Sequence, residues 1–512
     1  MIVHLASEVA PFYKRGGLGD VVGTLPFYLS EREQNVVISF YYKNRMNVEY
    51  PTIAGSFFID IQNIHYRFEY YYYEENGVKF YFLNMEDELL FSDMENTGNS
   101  KADDGGKNPY GLNFSFIIYF YFAKAALILI KELDLEPRHL LFHDWHVCGC
   151  FAFPELMNSI NEFCSTVVII HNYEHQGEIF PDQIHLLGDI VYEELLSIYK
   201  EYGAITFFAL AFKNADYVAT VSKTYAEELL HGNLPHTGLK FLNLIRRKKI
   251  YALPNGVDYT VWSPENSPYL HKNYDIASCI YAKSEWKRRL VNEMGFNNKD
   301  APIVLLMARL TEQKGINILI DLWDTIEESH KQIQKLLDLG INLIIYGNPE
   351  QGKHGIIHKR LTFYKKEFAG YFNYVHEYTE ERAHRFLAGA DMILCPSLYE
   401  PCGLVQMFSM KFGTVPLVRP VGGLKDTVIP HKELSEESTG FYIDDFQQES
   451  LYETIKEATE VYNHKTEIWQ SLMKRGMLKD FSWNTSLKYY NVFLDNIEKE
   501  KIKETLKKEY LP

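Results

Sequence analysis

The 512-residue chain has few cysteines and few of the residues that break regular structure. The six cysteines are scattered and form no CxxC pair, which excludes a disulfide framework and a cysteine-rich zinc site. Cys148 and Cys150 lie two positions apart, a weak metal signal without further ligands nearby. The 31 glycines and 19 prolines are too few for a collagen-like or linker-dominated protein. We therefore expect a folded globular chain with reduced thiols.

Positive charge is also in deficit. The chain carries 52 lysines and arginines against 68 aspartates and glutamates, a formal net charge of −16. Because such a surface repels polyanions, we expect neither nucleic acid nor an anionic membrane as a partner. Long hydrophobic runs are missing too: the apolar stretch 114–130 is interrupted by Lys124 and is shorter than the roughly 20 residues of a membrane-spanning helix. This stretch is predicted to be a helix packed inside an α/β domain.

The chain begins with a short apolar run, Met1–Ala6, which lacks the basic start and long apolar stretch of a signal peptide. We interpret this run as a first buried strand and expect a cytoplasmic protein. Aromatic side chains, by contrast, are abundant, with 37 tyrosines and 33 phenylalanines. Aromatic rings suit sugar-stacking surfaces, but core packing is the favoured interpretation of most of them.

Short apolar runs alternate with helical stretches in both halves of the chain. This pattern is typical of parallel sheets joined by right-handed helical crossovers. We therefore predict an α/β fold with two Rossmann-like domains whose strand carboxyl ends face a central cleft. The predicted division is residues 1–248, residues 249–490, and a C-terminal helix, 491–512, that packs back on the first domain. The predicted strands include Ile2–Ser7, Val36–Tyr42, Ile64–Tyr73, Val78–Leu83, Leu140–His143, Ser165–His171, Asp216–Val221, Ile303–Ala308, Asn342–Tyr346, Tyr374–His376, Met392–Pro396 and Val415–Arg419.

Three polar, glycine-bearing segments follow predicted strands, which is where ligands bind in open α/β sheets. The first, Lys14–Val21, offers glycine amides to a phosphate or sugar, but Val22 rules out a dinucleotide fingerprint. The second, Arg309–Gly315, brings an arginine and a lysine to a helix start, an arrangement that suits a diphosphate. The third, Glu400–Gln406, places a carboxylate before a Pro-x-Gly turn, where it either binds sugar hydroxyls or satisfies helix amides.

Together these segments resemble the signatures of the bacterial and plant glycogen and starch synthases, which are retaining glucosyltransferases of the GT-B type. The matches follow the family order over most of the chain, and a series of motifs in order is far more specific than any one alone. They comprise Lys14–Val21, His143–His146, His171-Asn172 with Gln176-Gly177, Thr220–Ser222 with Thr224–Ala226, Asn255–Tyr259 with Trp262, Arg309–Gly315, His384-Arg385, Ala388–Asp391, Glu400–Gln406, and Gly422–Leu424 with Asp426–Val428.

The resemblance implies roles for individual residues around a nucleotide sugar. It implies that Arg309 and Lys314 clamp the donor diphosphate and that Glu400 holds the transferring glucose. It also implies that His146 touches the donor glucose and that Asp20 supports the first loop. The remaining donor-site residues that the resemblance implies are Lys14, Gly16, Gly17, Asn255, Tyr378, Cys402, Gly403, Leu404, Gly422 and Gly423.

The resemblance also implies a reaction. Glucose would pass from ADP-glucose, or UDP-glucose, to the non-reducing end of an α-1,4-glucan with retention of configuration. The expected partners are therefore a nucleotide sugar and a glucan such as glycogen, starch or a maltooligosaccharide. Charged side chains around the diphosphate would replace a metal, and the sequence has no Asp-x-Asp motif at a strand end, so neither metal nor cofactor is expected.

Four positions depart from the family pattern. Leu112 stands where members usually carry an aspartate, Phe116 replaces an arginine, Ala209 replaces a lysine, and Val405 replaces a threonine. These departures leave open the alternative that the protein is a catalytically impaired relative of the synthases, with a glucan-binding or regulatory role. A third alternative is another two-domain sugar-nucleotide enzyme, such as an epimerase or a sucrose-type synthase, but the Lys14–Val21 signature argues against it.

Overall fold

The structure is a computed structural model. It describes residues 1–14, 16–42, 46, 52–61, 63–85, 115–160, 163–187, 189–232, 241–320, 326–349, 354–432 and 435–510. The chain forms two compact units. The first unit comprises Met1–Gly256 together with Trp483–Pro512, and the second comprises Val257–Ser482.

The first unit is built on a nine-stranded sheet. Its strands are β1 (Ile2–Leu5), β2 (Asn35–Phe40), β3 (Thr52–Ile61), β4 (Ile64–Glu75), β5 (Val78–Met85), β6 (His139–His143), β7 (Ser165–Ile170), β10 (Tyr217–Thr220) and β11 (Ile250–Ala252), while β8 (Glu178–Ile179) and β9 (Ile205–Thr206) pair separately. The order in the sheet is β11-β10-β7-β6-β1-β2-β5-β4-β3. Neighbours from β11 to β5 run parallel, whereas β4 is antiparallel to both β3 and β5.

Helices connect the parallel strands of this unit, as the alternating pattern predicts. The helix Ser115–Glu132 replaces the suspected membrane stretch and buries Phe120, Phe122 and Leu127 completely or nearly so. None of the described helices is long and apolar enough to cross a membrane. The helices of the unit are Gly17–Val22, Leu25–Leu29, Ser115–Glu132, Pro154–Ile160, Asp189–Tyr202, Phe207–Asn214, Lys223–His231, Leu242–Arg246 and Trp483–Tyr510, with 3₁₀-helices at Trp145–Ala152 and Pro181–Leu187.

The turn between β4 and β5 forms where Asn-Gly predicts it. Asn76 and Gly77 both have positive φ angles, 47° and 81°, which is the geometry of a tight hairpin. The tyrosine run of β4 lies in the sheet, where Tyr72 pairs directly with Tyr81. This arrangement agrees with packing as the main role of the run. The edge strand β3 is not among the predicted strands.

The second unit contains an all-parallel six-stranded sheet. Its strands are β12 (Ile303–Met307), β13 (Asn342–Tyr346), β14 (Phe372–Val375), β15 (Met392–Cys395), β16 (Val415–Val418) and β17 (Phe441–Tyr442), in the order β14-β13-β12-β15-β16-β17. Alternate residues of β12 join different apolar clusters, Val304 and Leu306 one, Ile303 and Leu305 the other, so both faces are covered. The helices are Cys279–Met294, Ile316–Leu319, Ile326–Leu337, His354–Glu367, Glu380–Gly389, Val405–Lys411, Gly422–Thr427, Gln448–His464 and Thr466–Leu478.

The unit boundaries differ from the predicted ones at both places where the chain passes between the units, after Gly256 and before Trp483. Residues 249–256 belong to the first unit because β11 adds one more strand beside β10. Residues 483–490 also belong to the first unit, since the C-terminal helix begins at Trp483 and not at position 491. A Cβ atom at Gly256 would lie 2.5 Å from the Trp483 Cα, so the two crossing segments touch where glycine permits it.

Candidate active site

The second sheet has a topological switch point between β12 and β15. From these two central strands the chain order runs outward to β13 and β14 on one side and to β16 and β17 on the other. Ligands of open parallel sheets bind at the carboxyl edge beside such a point. Arg309 closely follows β12, and Glu400 lies on the loop after β15. The predicted diphosphate and sugar residues therefore flank the switch point.

The structure joins Lys314 directly to Glu400. The Lys314 Nζ lies 2.5 Å from the Glu400 Oε2, and the Ser397 hydroxyl donates to the same oxygen over 3.0 Å. Glu400 is only 7% exposed, whereas Arg309 is exposed and forms no ion pair with any other described residue. A buried carboxylate with two hydrogen-bond donors thus pairs with one cation, Lys314, while Arg309 lies exposed on the loop after β12.

Glycine allows the two loops that carry this pair to approach closely. Gly315 has φ +76°, and a Cβ there would lie 2.2 Å from the Pro396 carbonyl oxygen. The Leu398 N–H donates to the Gln313 carbonyl over 2.8 Å and ties the same loops together. The glycine after Lys314 is therefore required by packing, and this packing brings Lys314 to Glu400.

Gly422 and Gly423 lie against the turn that carries Glu400. A Cβ on Gly422 would lie 1.9 Å from the Glu400 carbonyl oxygen, and one on Gly423 would lie 1.9 Å from that of Cys402. The Gly423 N–H donates to the Glu400 carbonyl over 2.9 Å. These two predicted site residues thus fix the backbone on both sides of Pro401.

The other predicted residues of this unit are distributed around the same edge. Gly403 has φ +69° and precedes Leu404, the N-cap of the helix Val405–Lys411. Tyr378 follows β14, is 45% exposed and stacks on Tyr346 with ring centroids 5.6 Å apart.

In the first unit, the loop after β1 contains the Lys14–Val21 signature. The Lys14 Nζ lies 2.6 Å from the Asp20 Oδ1, and the Gly16 N–H donates to a Glu8 carboxylate oxygen over 3.0 Å. A Cβ on Gly16 would meet no atom of the described residues within 4 Å, so packing against them does not require glycine there. Gly17 is exposed and begins the helix Gly17–Val22. Lys14 and Asp20, which the resemblance puts in the same loop, are brought into direct contact.

His146 lies on the 3₁₀-helix that follows β6. Its ring stacks on Trp145 with centroids 4.1 Å apart and meets the edge of Tyr119 at 4.8 Å. Asp144, just before this helix, has φ +65°, a conformation that non-glycine residues rarely adopt. Its Oδ1 accepts hydrogen bonds from the His171 N–H over 2.8 Å and from the Asn172 N–H over 3.2 Å. Asp144 therefore ties the loop after β7 to the loop after β6.

Burial raises the pKa of Asp144 from 3.8 to about 7, because the side chain is almost fully enclosed and Glu8 adds negative charge, although the two N–H donors oppose the shift. The folded state then binds a proton that the unfolded state releases between about pH 4 and pH 7. The stability contribution of Asp144 therefore falls as pH rises through this window.

The variant Asp144→Asn keeps one oxygen for both N–H donors and removes the buried charge. We expect it to raise the free energy of unfolding at pH 8 by on the order of 2–4 kcal/mol, with the difference from wild type shrinking toward pH 4. Urea denaturation across this pH range measures the difference. The control is Asp216→Asn, since the partly exposed Asp216 also accepts a backbone hydrogen bond, from Thr166 over 2.8 Å. A difference that does not vary with pH would contradict the assignment.

Sequence reasoning missed a chain of three histidines in the first unit, of which His4 and His143 are buried and His171 is half-buried. His4, His143 and His171 form consecutive ring-to-ring hydrogen bonds of 3.1 and 3.0 Å that reach the carboxyl end of β7. The available signal was a histidine within or beside each of three otherwise apolar predicted strands. Sequence spacing could not show that the three rings meet, because β1, β6 and β7 become neighbours only in the folded sheet.

Asn255 is 7% exposed, and its Oδ1 has no hydrogen-bond partner among the residues that the structure describes. Buried polar atoms without a partner are uncommon in folded proteins.

Of the departures from the family pattern, Phe116 and Ala209 are both buried, and the Ala209 N–H donates to the N-cap Thr206 hydroxyl over 3.0 Å. These two positions serve the core. Leu112 lies outside the described residues.

The described ranges of the chain contain no group of three or more histidine, cysteine or acidic side chains arranged to hold a metal ion. Cys148 and Cys150, the weak metal signal, are both fully buried. Each donates its S–H to a backbone carbonyl, that of Asp144 and that of Ala123 respectively. These contacts are those of packed core cysteines.

Comparison with known proteins matches both units. Residues 1–243 match the family model of the starch synthase catalytic domain, and residues 290–470 match that of glycosyl transferases group 1. The glycogen synthase of Lactococcus lactis is 32% identical over 504 residues, covering 96% of this chain and 98% of the relative. The glycogen synthase of Anoxybacillus flavithermus is 32% identical over 514 residues, covering 97% and 98%.

A solved structure supports the fold independently. The catalytic domain of starch synthase IV from Arabidopsis thaliana, bound to ADP and acarbose, superposes with a TM-score of 0.79. The two chains are 24% identical, and the match covers 97% of this chain and 99% of the other. The prediction of an α/β fold of the GT-B type is confirmed.

Proposed function

From the premise that this chain belongs to the glycogen synthase family of glucosyltransferases, we propose that it transfers glucose from ADP-glucose to the non-reducing end of an α-1,4-glucan, with retention of configuration. The observation that carries the proposal is the Lys314–Glu400 pair at the switch point of the second sheet, where Arg309 also follows β12. This arrangement combines cations for a phosphate leaving group with a carboxylate for a sugar.

Arg309 and Lys314 are proposed to bind the donor diphosphate. As the glycosidic bond breaks, negative charge grows on the leaving phosphate. Cations fixed beforehand stabilise that charge more in the transition state than in the ground state, which raises the rate. We propose that these two side chains supply the charge compensation for which other enzymes use a metal ion.

Glu400 is proposed to stabilise the sugar. The anomeric carbon gains oxocarbenium-like positive charge during glycosyl transfer, and a buried carboxylate interacts strongly with such charge. Ser397, Lys314 and the backbone contacts of Gly422 and Gly423 hold Glu400 in place. Together with the amides that follow Gly403, Glu400 would bind the glucosyl group rather than the nucleotide.

The first unit is proposed to contribute further sugar and phosphate contacts. The glycine at position 16, which no packing contact with the described part of the chain requires, fits a backbone that a ligand approaches closely. The buried Asn255 Oδ1 fits an acceptor reserved for a substrate hydroxyl. We add His171 to the proposed site residues, which already include His146 and Lys14, because His171 lies at the carboxyl end of β7.

ADP-glucose is proposed as the donor in preference to UDP-glucose. The support comes from the starch synthase IV structure, which is bound to ADP. The proposal of an α-1,4-glucan acceptor is supported by the glycogen synthases that match 96% and 97% of this chain.

The test is transfer of labelled glucose from ADP-glucose, and separately from UDP-glucose, into glycogen in the presence of EDTA. We expect incorporation from ADP-glucose at a rate that EDTA does not change. Preferential incorporation from UDP-glucose would overturn the donor assignment, and loss of activity with EDTA would overturn the metal-free mechanism. Glycogen binding without transfer from either donor would instead support the catalytically impaired alternative.

A further inference from the structure

Asn35 lies at one end of the chain formed by His4, His143 and His171. It determines in which direction the hydrogen bonds of this chain are donated. The Asn35 Nδ2 donates to the Glu33 carbonyl over 2.7 Å, so its Oδ1 faces the His4 Nε2 at 2.9 Å. A carbonyl oxygen only accepts hydrogen bonds, so the proton of this bond belongs to the His4 Nε2. If the Asn35 amide were rotated by 180°, its Oδ1 would face the Glu33 carbonyl oxygen, and two acceptors would lie at hydrogen-bond distance without a proton between them.

The donor at His4 Nε2 in turn determines which nitrogen donates in His143 and in His171. Burial lowers the pKa of His4 to about 4 and that of His171 to about 3, and it lowers the pKa of His143 well below its ordinary value, so all three rings are neutral at pH 7. A neutral imidazole has one donor and one acceptor nitrogen. His4 Nδ1 therefore accepts from His143 Nε2 over 3.1 Å, and His143 Nδ1 accepts from His171 Nε2 over 3.0 Å.

The sheet register builds this path. Asn35 pairs with Ile2, two positions before His4, and His4 in turn pairs with Leu141, two positions before His143. His143 pairs with Ile169, two positions before His171. Each step to the next strand thus advances two residues, roughly 6–7 Å, on the same face toward the carboxyl edge.

We infer that Asn35, His4 and His143 are positioning residues that hold His171 in the Nε2–H tautomer, so that its Nδ1 presents a hydrogen-bond acceptor to a sugar hydroxyl of the substrate. The inference rests on the proposed function, since that function supplies the sugar. Without the chain, an imidazole exchanges its two tautomers, and one of them presents a donor in place of an acceptor. The Glu33 carbonyl, next to β2, thereby determines whether the His171 Nδ1, three strands away beside β7, is a donor or an acceptor.

The tautomer itself is measurable in the wild-type protein. Long-range ¹H–¹⁵N spectra of histidine-labelled protein distinguish Nε2–H from Nδ1–H, and the His171→Gln variant identifies the signals of His171. We expect His171 to be Nε2–H near pH 7. An Nδ1–H tautomer, or a mixture of both, overturns the inference whatever the variants do.

Breaking the chain is expected to reduce turnover. The variants Asn35→Leu and His143→Phe should each lower kcat about 10–100-fold, the loss typical of removing an outer partner of a functional histidine, with the donor KM within about threefold. Both should also produce mixed tautomers at His171. His143→Gln should keep most of the activity, because a glutamine amide offers an NH2 group that can donate to His4 and a carbonyl oxygen that can accept from His171.

His139 provides the matched control. It lies on the same strand β6 and is buried, but neither ring nitrogen has a hydrogen-bond partner among the described residues. His139→Leu should therefore leave kcat and the His171 tautomer unchanged. A normal kcat in folded Asn35→Leu or His143→Phe would overturn the inference while leaving the proposed function intact. Failure of the wild-type enzyme to transfer glucose would instead count against the function.

Discussion

Replacing Glu400 with glutamine is expected to lower kcat for glucose transfer by at least about a hundredfold and to change the KM for ADP-glucose by no more than about threefold. Glutamine has the shape of glutamate and offers an oxygen to both the Ser397 hydroxyl and the Lys314 ammonium, which hold Glu400 in the native protein. The substitution therefore removes little except the negative charge.

The charge matters mainly in the transition state. The bound glucosyl group is neutral before the bond breaks and gains positive charge as the leaving phosphate departs. A carboxylate that is 7% exposed interacts with this charge without much screening by water. The loss should accordingly be in kcat rather than in donor binding.

The control for this variant is Ser397→Ala, which removes one hydrogen bond but keeps the carboxylate. We expect its kcat to fall by less than about tenfold, because the carboxylate keeps its charge, on which the transition state depends, and its ion pair with Lys314. A Glu400→Gln enzyme with normal kcat and a raised donor KM would show that Glu400 acts in ground-state binding, contrary to the proposal. Thermal unfolding of each variant separates loss of activity from loss of fold.

Much of the second unit can be predicted from local patterns. Its inner strands β12, β13 and β16 are short apolar runs buried on both faces, and Asn342–Tyr346 is predicted with the bounds that the structure has. The predicted boundary at residue 248 differs from the observed one at Gly256, because β11, directly after the basic run 246–249, still pairs with β10. Pairing between distant strands leaves no local signal, and the same is true of the C-terminal helix, whose Trp483 is buried in the first unit.

In the candidate site too, local sequence patterns predict some features, and others depend on contacts between distant segments. The position of Arg309 and Glu400 after β12 and β15 follows from the strand–loop pattern alone. The direct contact between Lys314 and Glu400 does not, because it depends on loops that touch only where Gly315 allows it. The histidine chain was not predictable because the sequence places His4, His143 and His171 in or after three separate strands and does not show that their rings meet. Only the register of four strands shows that they form a single path.

Replacing Lys314 with alanine is expected to lower kcat/KM for ADP-glucose by roughly 10²–10³-fold, about 3–4 kcal/mol of transition-state stabilisation. The proposed reason is the loss of a cation beside the leaving diphosphate. ADP should also become a weaker competitive inhibitor, since it carries the same diphosphate. Steady-state kinetics with and without ADP measure both effects, and a loss below tenfold would contradict the assignment.

The contact with Glu400 raises a second explanation, in which Lys314 acts only by holding that carboxylate. The double variant Lys314→Ala with Glu400→Gln distinguishes the two explanations. If Lys314 acts through Glu400 alone, the double variant loses no more than Glu400→Gln does. If Lys314 also binds the diphosphate, as proposed, the double variant loses more than either single variant. Lys335→Ala is the matched control, because Lys335 forms a 2.7 Å ion pair with Glu449 on the exposed surface of the same unit, and its removal should leave the kinetics unchanged.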